Sequence, residues 1–235
     1  MTGTAAVSLE SRDDIALITI DDGKANALSP DVIAALNDAL DQVEGGAPAS
    51  RAVVLCGREG VFSGGFDLKV MRSGDFRAMG ALVTSGGELV ARLLGSPLPS
   101  VCACTGHAIA AGALLALGTH FRVGADGDYR LGLTETAIGM VLPDWAVVIA
   151  EERLSRTELQ RALAEARVYD PTDARDAGFL DVVVSPERVL DVALEEAARL
   201  AALDNAAYSG NLAKVRGPCL ERLTAAVAKD RARLQ

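Results

Sequence analysis

VCACTGHAIAAGALLAL, residues 101–117, is the stretch on which the fold turns. Its first four residues are small or β-branched and apolar, as a buried strand requires. Gly106 breaks the run. Residues 110–117 then return as small and later large apolar side chains, the pattern of a helix packed closely on its neighbours. A strand that feeds a buried helix within a few residues is half of a parallel crossover.

Upstream, the same unit recurs. Residues 51–56 (RAVVLC) read as a buried strand, 57–65 as a glycine-rich loop, and 87–94 as an amphipathic helix stopped by Pro97-Leu98-Pro99. Residues 15–20 (IALITI) make a strand closed by Asp21-Asp22-Gly23. Ser29-Pro30-Asp31 carries the N-cap and N1-proline signals of a helix. Val32, Ile33, Leu36, Leu40 and Val43 keep helical spacing until Gly45-Gly46. Downstream of Pro143 the pattern predicts helices over 144–153, 156–166, 186–202 and 218–233, with one strand over 180–184. The order β, α, β, α, β, α predicts an α/β fold, with helices over a mostly parallel sheet and binding residues in the loops at strand ends.

Half of the 235 residues are apolar, enough for one large core. No tandem repeat or long linker divides the chain, so a single domain is expected. A net charge of −9 argues against broad contact with nucleic acid, which needs clustered Lys and Arg. Residues 1–8 lack a basic start followed by an apolar run. No stretch approaches the roughly 18 to 20 apolar residues of a membrane span. A soluble, cytoplasmic protein is expected. Cys56, Cys102, Cys104 and Cys219 lie in apolar runs and read as free thiols of a reducing compartment.

Three loops remain once the regular elements are assigned: residues 24–28 (KANAL), 62–68 (FSGGFDL) and 105–112 (TGHAIAAG). The second and third can each offer a backbone N–H at a strand-to-helix junction, where orphan amides and the helix dipole favour negative charge. Neither matches a dinucleotide or P-loop pattern. His107 lies near Cys102 and Cys104, but the spacing fits no standard zinc pattern and the chain has one other histidine, His120. A packed histidine and no metal site are expected. Ser63 lacks the G-x-S-x-G context of a nucleophile and reads as a turn residue.

KANAL, FSGGFDL, TGHAIAAGALLAL, ETAIGMVLP (135–143) and AGFLDVVV (177–184), taken in order, resemble the crotonase (enoyl-CoA hydratase/isomerase) superfamily over nearly the whole chain. The resemblance implies a ClpP/crotonase-like fold: a spiral of β-β-α units over 1–185, and a helical segment of the same domain over 186–235 used to assemble a homotrimer or a dimer of trimers. It implies an acyl-CoA thioester as substrate, with coenzyme A as part of that substrate and no other cofactor. By position in the motifs, the two oxyanion-hole N–H groups fall on Phe66 and Ala111, and the acid/base on Glu135.

Hydratases of this superfamily use two glutamates; here the first falls on Leu114, which cannot carry a proton. The pattern therefore looks like the Δ3,Δ2-enoyl-CoA isomerases, where one glutamate moves a proton from C2 to C4 through a dienolate. Asp67 and Asp144 are the carboxylates that could restore hydration. The resemblance places Lys24, Ala25, Ala27, Gly65, Asp67, Leu68 and Gly112 around the CoA and thioester. Leu114, Met140, Val141, Leu142 and Trp145 fall around the acyl group. Lys24 and Lys69 are candidate phosphate partners, and Lys214 or Arg216 candidates to reach a neighbouring subunit's ligand. The alternatives are an enoyl-CoA hydratase, a non-catalytic acyl-CoA-binding subunit and, more distantly, a serine hydrolase acting through Ser63.

Overall fold

The computed structural model describes residues 6–46 and 49–233. The expectation about a leader over residues 1–8 falls largely on residues 1–5, outside that range. In chain order the strands are β1 (Val7–Arg12), β2 (Ile15–Ile20), β3 (Ala52–Gly57), β4 (Gly60–Ser63), β5 (Ser100–Cys104), β6 (Gly106–Ile109), β7 (Phe121–Ala125), β8 (Leu131–Gly132), β9 (Val168–Tyr169) and β10 (Val182–Val184). The α-helices are α1 (Pro30–Glu44), α2 (Leu68–Met71), α3 (Phe76–Leu94), α4 (Ala111–Gly118), α5 (Asp144–Arg153), α6 (Leu159–Leu163), α7 (Pro171–Ala177), α8 (Val189–Ala201) and α9 (Asn205–Arg233).

The period-two alternation of the strands sorts their side chains onto two faces. Ala16, Ile18, Ile20, Val53 and Leu55 join the main core under α1, α3 and α4, while Ile15, Leu17, Val54 and Val101 face the other way. There Val189, Ala193, Ala197 and Ala201 of α8 cover them, spaced four apart and small enough to let the helix lie close. The six-stranded sheet runs β1-β2-β3-β5-β7-β10, parallel throughout except for the antiparallel β1–β2 pair. A second sheet, β4-β6-β8-β9, lies beside it. The crossovers are thus β-β-α units, and the fold is the crotonase-type spiral.

The second sheet corrects the sequence reading. Residues 57–65 are not all loop, because β4 pairs parallel with β6. Glycine is what lets this happen: a Cβ on Gly106 would lie 2.0 Å from the Gly60 oxygen, and one on Gly57 2.5 Å from Phe62 Cα. The helix expected at 87–94 begins at Phe76, where the Asp75 side chain accepts the Ala78 N–H at 3.0 Å. The helix expected at 156–166 shrinks to α6, ended before Ala166, whose φ is +51°. The helix expected at 218–233 begins at Asn205 and passes through Pro218, held by packing against α3 and α5. The strands β1, β7, β8 and β9 and the helices α2 and α7 have no counterpart in the sequence pattern above.

The cap expected at the start of α1 is in place. Ser29 caps α1, accepting the Val32 N–H at 3.2 Å. The four cysteines are buried and free. No described helix is long and apolar enough to cross a membrane.

Candidate active site

The site begins with a buried asparagine. Asn26 has φ +50° and is fully buried; its side-chain amide donates to the Ile20, Val61 and Phe62 oxygens at 2.8, 3.1 and 3.2 Å. Asparagine tolerates this backbone better than other side chains do. One residue thereby pins the 24–28 loop to β2 and β4. Asp22 braces the same loop by accepting the Lys24 and Asn26 N–H groups at 2.7 and 2.8 Å and that of Ala27 at 3.2 Å. Burial raises the Asp22 pKa, but these bonds outweigh it and hold the carboxyl below its usual range.

The loop then delivers Phe66. Leu28 N–H donates to Gly65 O at 2.8 Å and Asp67 N–H to Leu28 O at 3.1 Å. The bridge spends the groups flanking Phe66 and leaves the Phe66 N–H without a hydrogen bond among the described residues. Gly65, at φ +93°, packs against the next unit: a Cβ there would lie 2.9 Å from Ile109 O and 3.3 Å from Ala111 N. Ala110 holds φ +53° and ψ −125° as the residue before α4, a strained conformation for a side chain-bearing residue. Its N–H is taken by Gly132 O at 2.8 Å and its carbonyl by Leu114 N–H at 3.1 Å. Ala111 opens the helix, and its N–H also has no acceptor among the described residues. Two unspent amides therefore sit on apposed loops, a geometry able to hold an oxygen that gains negative charge.

A cavity of about 320 Å³ lies alongside, lined by Phe66, Leu114, Glu135 and Trp145 among others. Glycine makes room for its aromatic walls. A Cβ on Gly86 would meet the Phe66 ring at 2.5 Å, and one on Gly87 the Trp145 ring at 2.9 Å. Met71, Met79 and Met140 complete much of the remaining surface, with Leu142 and Val141 at the side. Glu135 precedes a short 3₁₀ turn (Thr136–Ile138), and the Met140 N–H returns to its carbonyl at 2.9 Å. Its Oε2 is buried with no hydrogen-bond partner among the described residues. Burial pushes the Glu135 pKa above the usual carboxylate value, against the opposing pull of its own and the Thr134 backbone.

The structure thus gathers Phe66, Leu114, Glu135, Met140, Val141, Leu142 and Trp145 around one cavity; Gly65 precedes Phe66, and Ala111 and Gly112 open the helix that brings Leu114 to it. Gly112 has no room for a side chain, since a Cβ would lie 2.3 Å from Ser63 O. Lys24, Ala25 and Ala27 lie on the pinned loop outside this cavity, and Leu68 and Lys69 are exposed beyond it. Asp67 caps α2, accepting the Lys69 N–H at 2.7 Å.

Asp144 is not in the cavity. It pairs with Lys229 at 2.5 Å and Arg233 at 3.2 Å, and the Lys229 hydrogen bond holds its carboxyl below the ordinary range. Arg216 is half-buried within its own chain. Its Nη1 is buried, and its charge is felt by His120 and Arg153 of the same chain. Lys214 is exposed.

Ser63 is fully buried, its hydroxyl donating to Asn26 O at 2.7 Å, so it serves the turn. His107 accepts the Arg130 N–H at 3.0 Å and packs edge-on to Tyr129. Among the described residues no cluster of His, Cys, Asp or Glu could hold a metal ion. Sequence reasoning missed Phe76, Met79, Gly80 and Val83, which line the cavity from α3, and Asp230 and Arg233 from α9. The 76, 79, 80, 83 spacing is helical and was readable once the helix was extended upstream.

A family profile described as Enoyl-CoA hydratase/isomerase matches residues 10–233. The chain belongs to that family. Within the family it is similar to the human mitochondrial enoyl-CoA delta isomerase 1, 30% identical over 210 residues that span 89% of this chain and 70% of the human one. It is likewise similar to a probable enoyl-CoA hydratase of Bacillus subtilis, 31% identical over 199 residues, 84% of this chain and 75% of that one. A solved enoyl-CoA hydratase/isomerase family protein from Pseudomonas syringae superposes with a TM-score of 0.93 at 41% identity, covering 98% of both chains. Family relatives at like distance thus carry both names, and the difference between them has to be read from the cavity.

Proposed function

We propose that the chain is an enoyl-CoA isomerase, shifting the double bond of a fatty or related acyl-CoA from the 3 to the 2 position. The observation that carries this is the state of the carboxylates around the cavity. Glu135 faces it with one oxygen free of any partner among the described residues, while the position from which a second glutamate would act is Leu114, 1% exposed. Asp230 also lines the cavity, but one of its oxygens accepts the Trp145 N–H at 3.1 Å and the other lies 3.6 Å from Arg233. Asp67 and Asp144 are spent on a helix cap and on ion pairs. One proton carrier is in place.

One carrier is enough for isomerisation. Glu135 takes a proton from C2, the electron pair spreads over a dienolate, and the thioester oxygen becomes negative. The Phe66 and Ala111 N–H groups, unspent and apposed, stabilise that oxygen by several kcal/mol, roughly 3 to 4 per donor. Glu135 returns the proton to C4 and the double bond settles at C2–C3. Its raised pKa suits a group that must both take and give a proton near neutrality. The reaction needs no metal or redox cofactor, and coenzyme A enters as part of the substrate. We place the protein in the cytoplasm as a homotrimer or dimer of trimers, with Lys24 and the rest of the pinned loop toward the CoA moiety.

The test is an assay of wild type and Glu135→Gln with 3-enoyl-CoA and 2-enoyl-CoA substrates, following double-bond migration and water addition separately. Migration without hydration, reduced about 100-fold or more in the variant, supports the one-glutamate mechanism. Efficient hydration by wild type would overturn it in favour of a hydratase. Binding without any C2 proton exchange would leave a non-catalytic acyl-CoA-binding subunit.

A further inference from the structure

Beside the acyl cavity a second one of about 570 Å³ opens between α3 and α9. The two differ in character. The first is walled mostly by aromatic, aliphatic and methionine side chains, with Glu135, Asp230 and Arg233 among them; the second is lined by Arg77, Ala81, Thr84, Ser85, Glu88 and Arg231. Gly80 lines both. Helical geometry explains the split: Phe76, Met79 and Val83 share one face of α3, Arg77, Ala81, Thr84 and Glu88 the adjacent one, and Gly80 lies on the seam. Lacking a side chain, Gly80 adds no bulk between the two spaces.

The charges of the second cavity do not balance. Glu88 is ion-paired with Arg231. Arg77 is exposed and makes no ion pair among the described residues, so two guanidinium groups face one carboxylate. In a protein of net charge −9, a local cationic excess beside a substrate cavity is set to receive an anion.

We propose that this cavity receives the far end of the acyl group, and that the preferred substrates carry a carboxylate there, at the end opposite the thioester. The inference rests on the acyl-CoA reading above and narrows its substrate class. A methyl-ended chain passing Gly80 would leave an apolar wall for a polar one and gain little. A carboxylate at the same distance meets Arg77, whose planar fork matches it.

The experiment measures equilibrium binding, by calorimetry, of a saturated long-chain dicarboxylic acid carrying one CoA thioester, against the methyl-ended acyl-CoA of equal length. Wild type should prefer the dicarboxylic ligand by about threefold to fivefold, the range of a solvent-exposed ion pair. Arg77→Glu should abolish or invert that ratio. Gly80→Leu should weaken both long ligands relative to hexanoyl-CoA, with the melting transition checked to confirm folding. Equal or weaker binding of the dicarboxylic ligand by wild type would overturn the proposal, as would a ratio unchanged in Arg77→Glu. A binding preference without isomerisation of any enoyl-CoA would sink the reaction assigned above and leave the distal site standing. No binding of any acyl-CoA would sink both.

Discussion

The two ends of α4 make opposite use of the same helix. At its C-terminus the Leu117 and Thr119 carbonyls accept the guanidinium of Arg153, with the Leu117 bond at 2.9 Å. At its N-terminus Ala110 is strained to φ +53° and the Ala111 N–H is left without an acceptor. Each end carries roughly half an elementary charge from the aligned peptides. The negative end is neutralised from within the chain. The positive end is left for something that arrives. Unpaired donors alone do not mark the difference, because Nε and Nη1 of Arg122 and Nη1 of Arg216, near Arg153, are also buried without partners among the described residues. What separates the ends is the cavity that begins one turn into the helix, at Leu114.

The strongest way to break this comparison is at the N-terminal end. Gly65→Ala would place a Cβ 2.9 Å from Ile109 O at a φ of +93°, forcing apart the loops that carry the Phe66 and Ala111 amides. Its kcat should fall about 100-fold, as for loss of one oxyanion donor. Steady-state kinetics within a few-fold of wild type would show that these amides do not hold the reacting oxygen.

At the other end Arg153→Met should cost about 1 to 3 kcal/mol in urea unfolding, since it leaves buried carbonyls without their charged donor. Its kcat should stay within about twofold. A tenfold loss would mean that the helix couples its ends.

His120 sharpens the contrast through pH. Burial and the Arg216 charge push its pKa down to about 3 from an ordinary 6.5, and its Nδ1 accepts from the Tyr208 hydroxyl at 3.0 Å. The unfolded chain therefore binds this proton more readily than the folded one. Stability from this group is complete above pH 6.5 and drains as pH falls toward 3; His120→Gln should flatten that slope in melts across the interval.

The smallest effect has the opposite sign. The Glu135 pKa is raised in the folded state, so its contribution is full below the ordinary 4.5 and is lost as pH climbs through the folded value. Glu135→Gln should therefore melt slightly higher than wild type near neutral pH and not in acid. A variant that melts lower at both would show that the carboxylate is held by contacts absent from the described bonds.

What the sequence disclosed follows the same physics. The strands β2, β3 and β5 were readable because they are buried on both faces and almost continuously apolar, Thr19 and Ser100 aside. β4 and β6 were not, since Gly60 and Gly106 speak for turns, and only the pairing of one strand with the other makes them strands. The first half of α3 is hard to read because Gly80, Gly86 and Gly87 lower helix propensity, yet Gly86 and Gly87 are what admit Phe66 and Trp145. α7 could have been read from Asp170-Pro171 before it and Gly178, at φ +99°, after it. In the site, Glu135 and Leu114 were visible through motif position. Asn26 sits between the alanines it fixes, and its type is the signal that could have found it, since an asparagine in a short loop is a usual bearer of positive φ. Asp230 and Arg233 could not be found at all, because only folding brings α9 to the cavity.

The chain has four methionines, and every one but the first, Met71, Met79 and Met140, lines the cavity that Glu135 faces. Thioether side chains bend and polarise to suit differently shaped guests, so the wall that fits one acyl chain can refit around another. The same sulfurs open the cavity wall to oxidation by peroxide. Conversion to sulfoxides would turn three apolar, pliant surfaces into polar and chiral ones. Inactivation of that kind would leave Glu135 and the two amides chemically intact, and methionine sulfoxide reductases could reverse it.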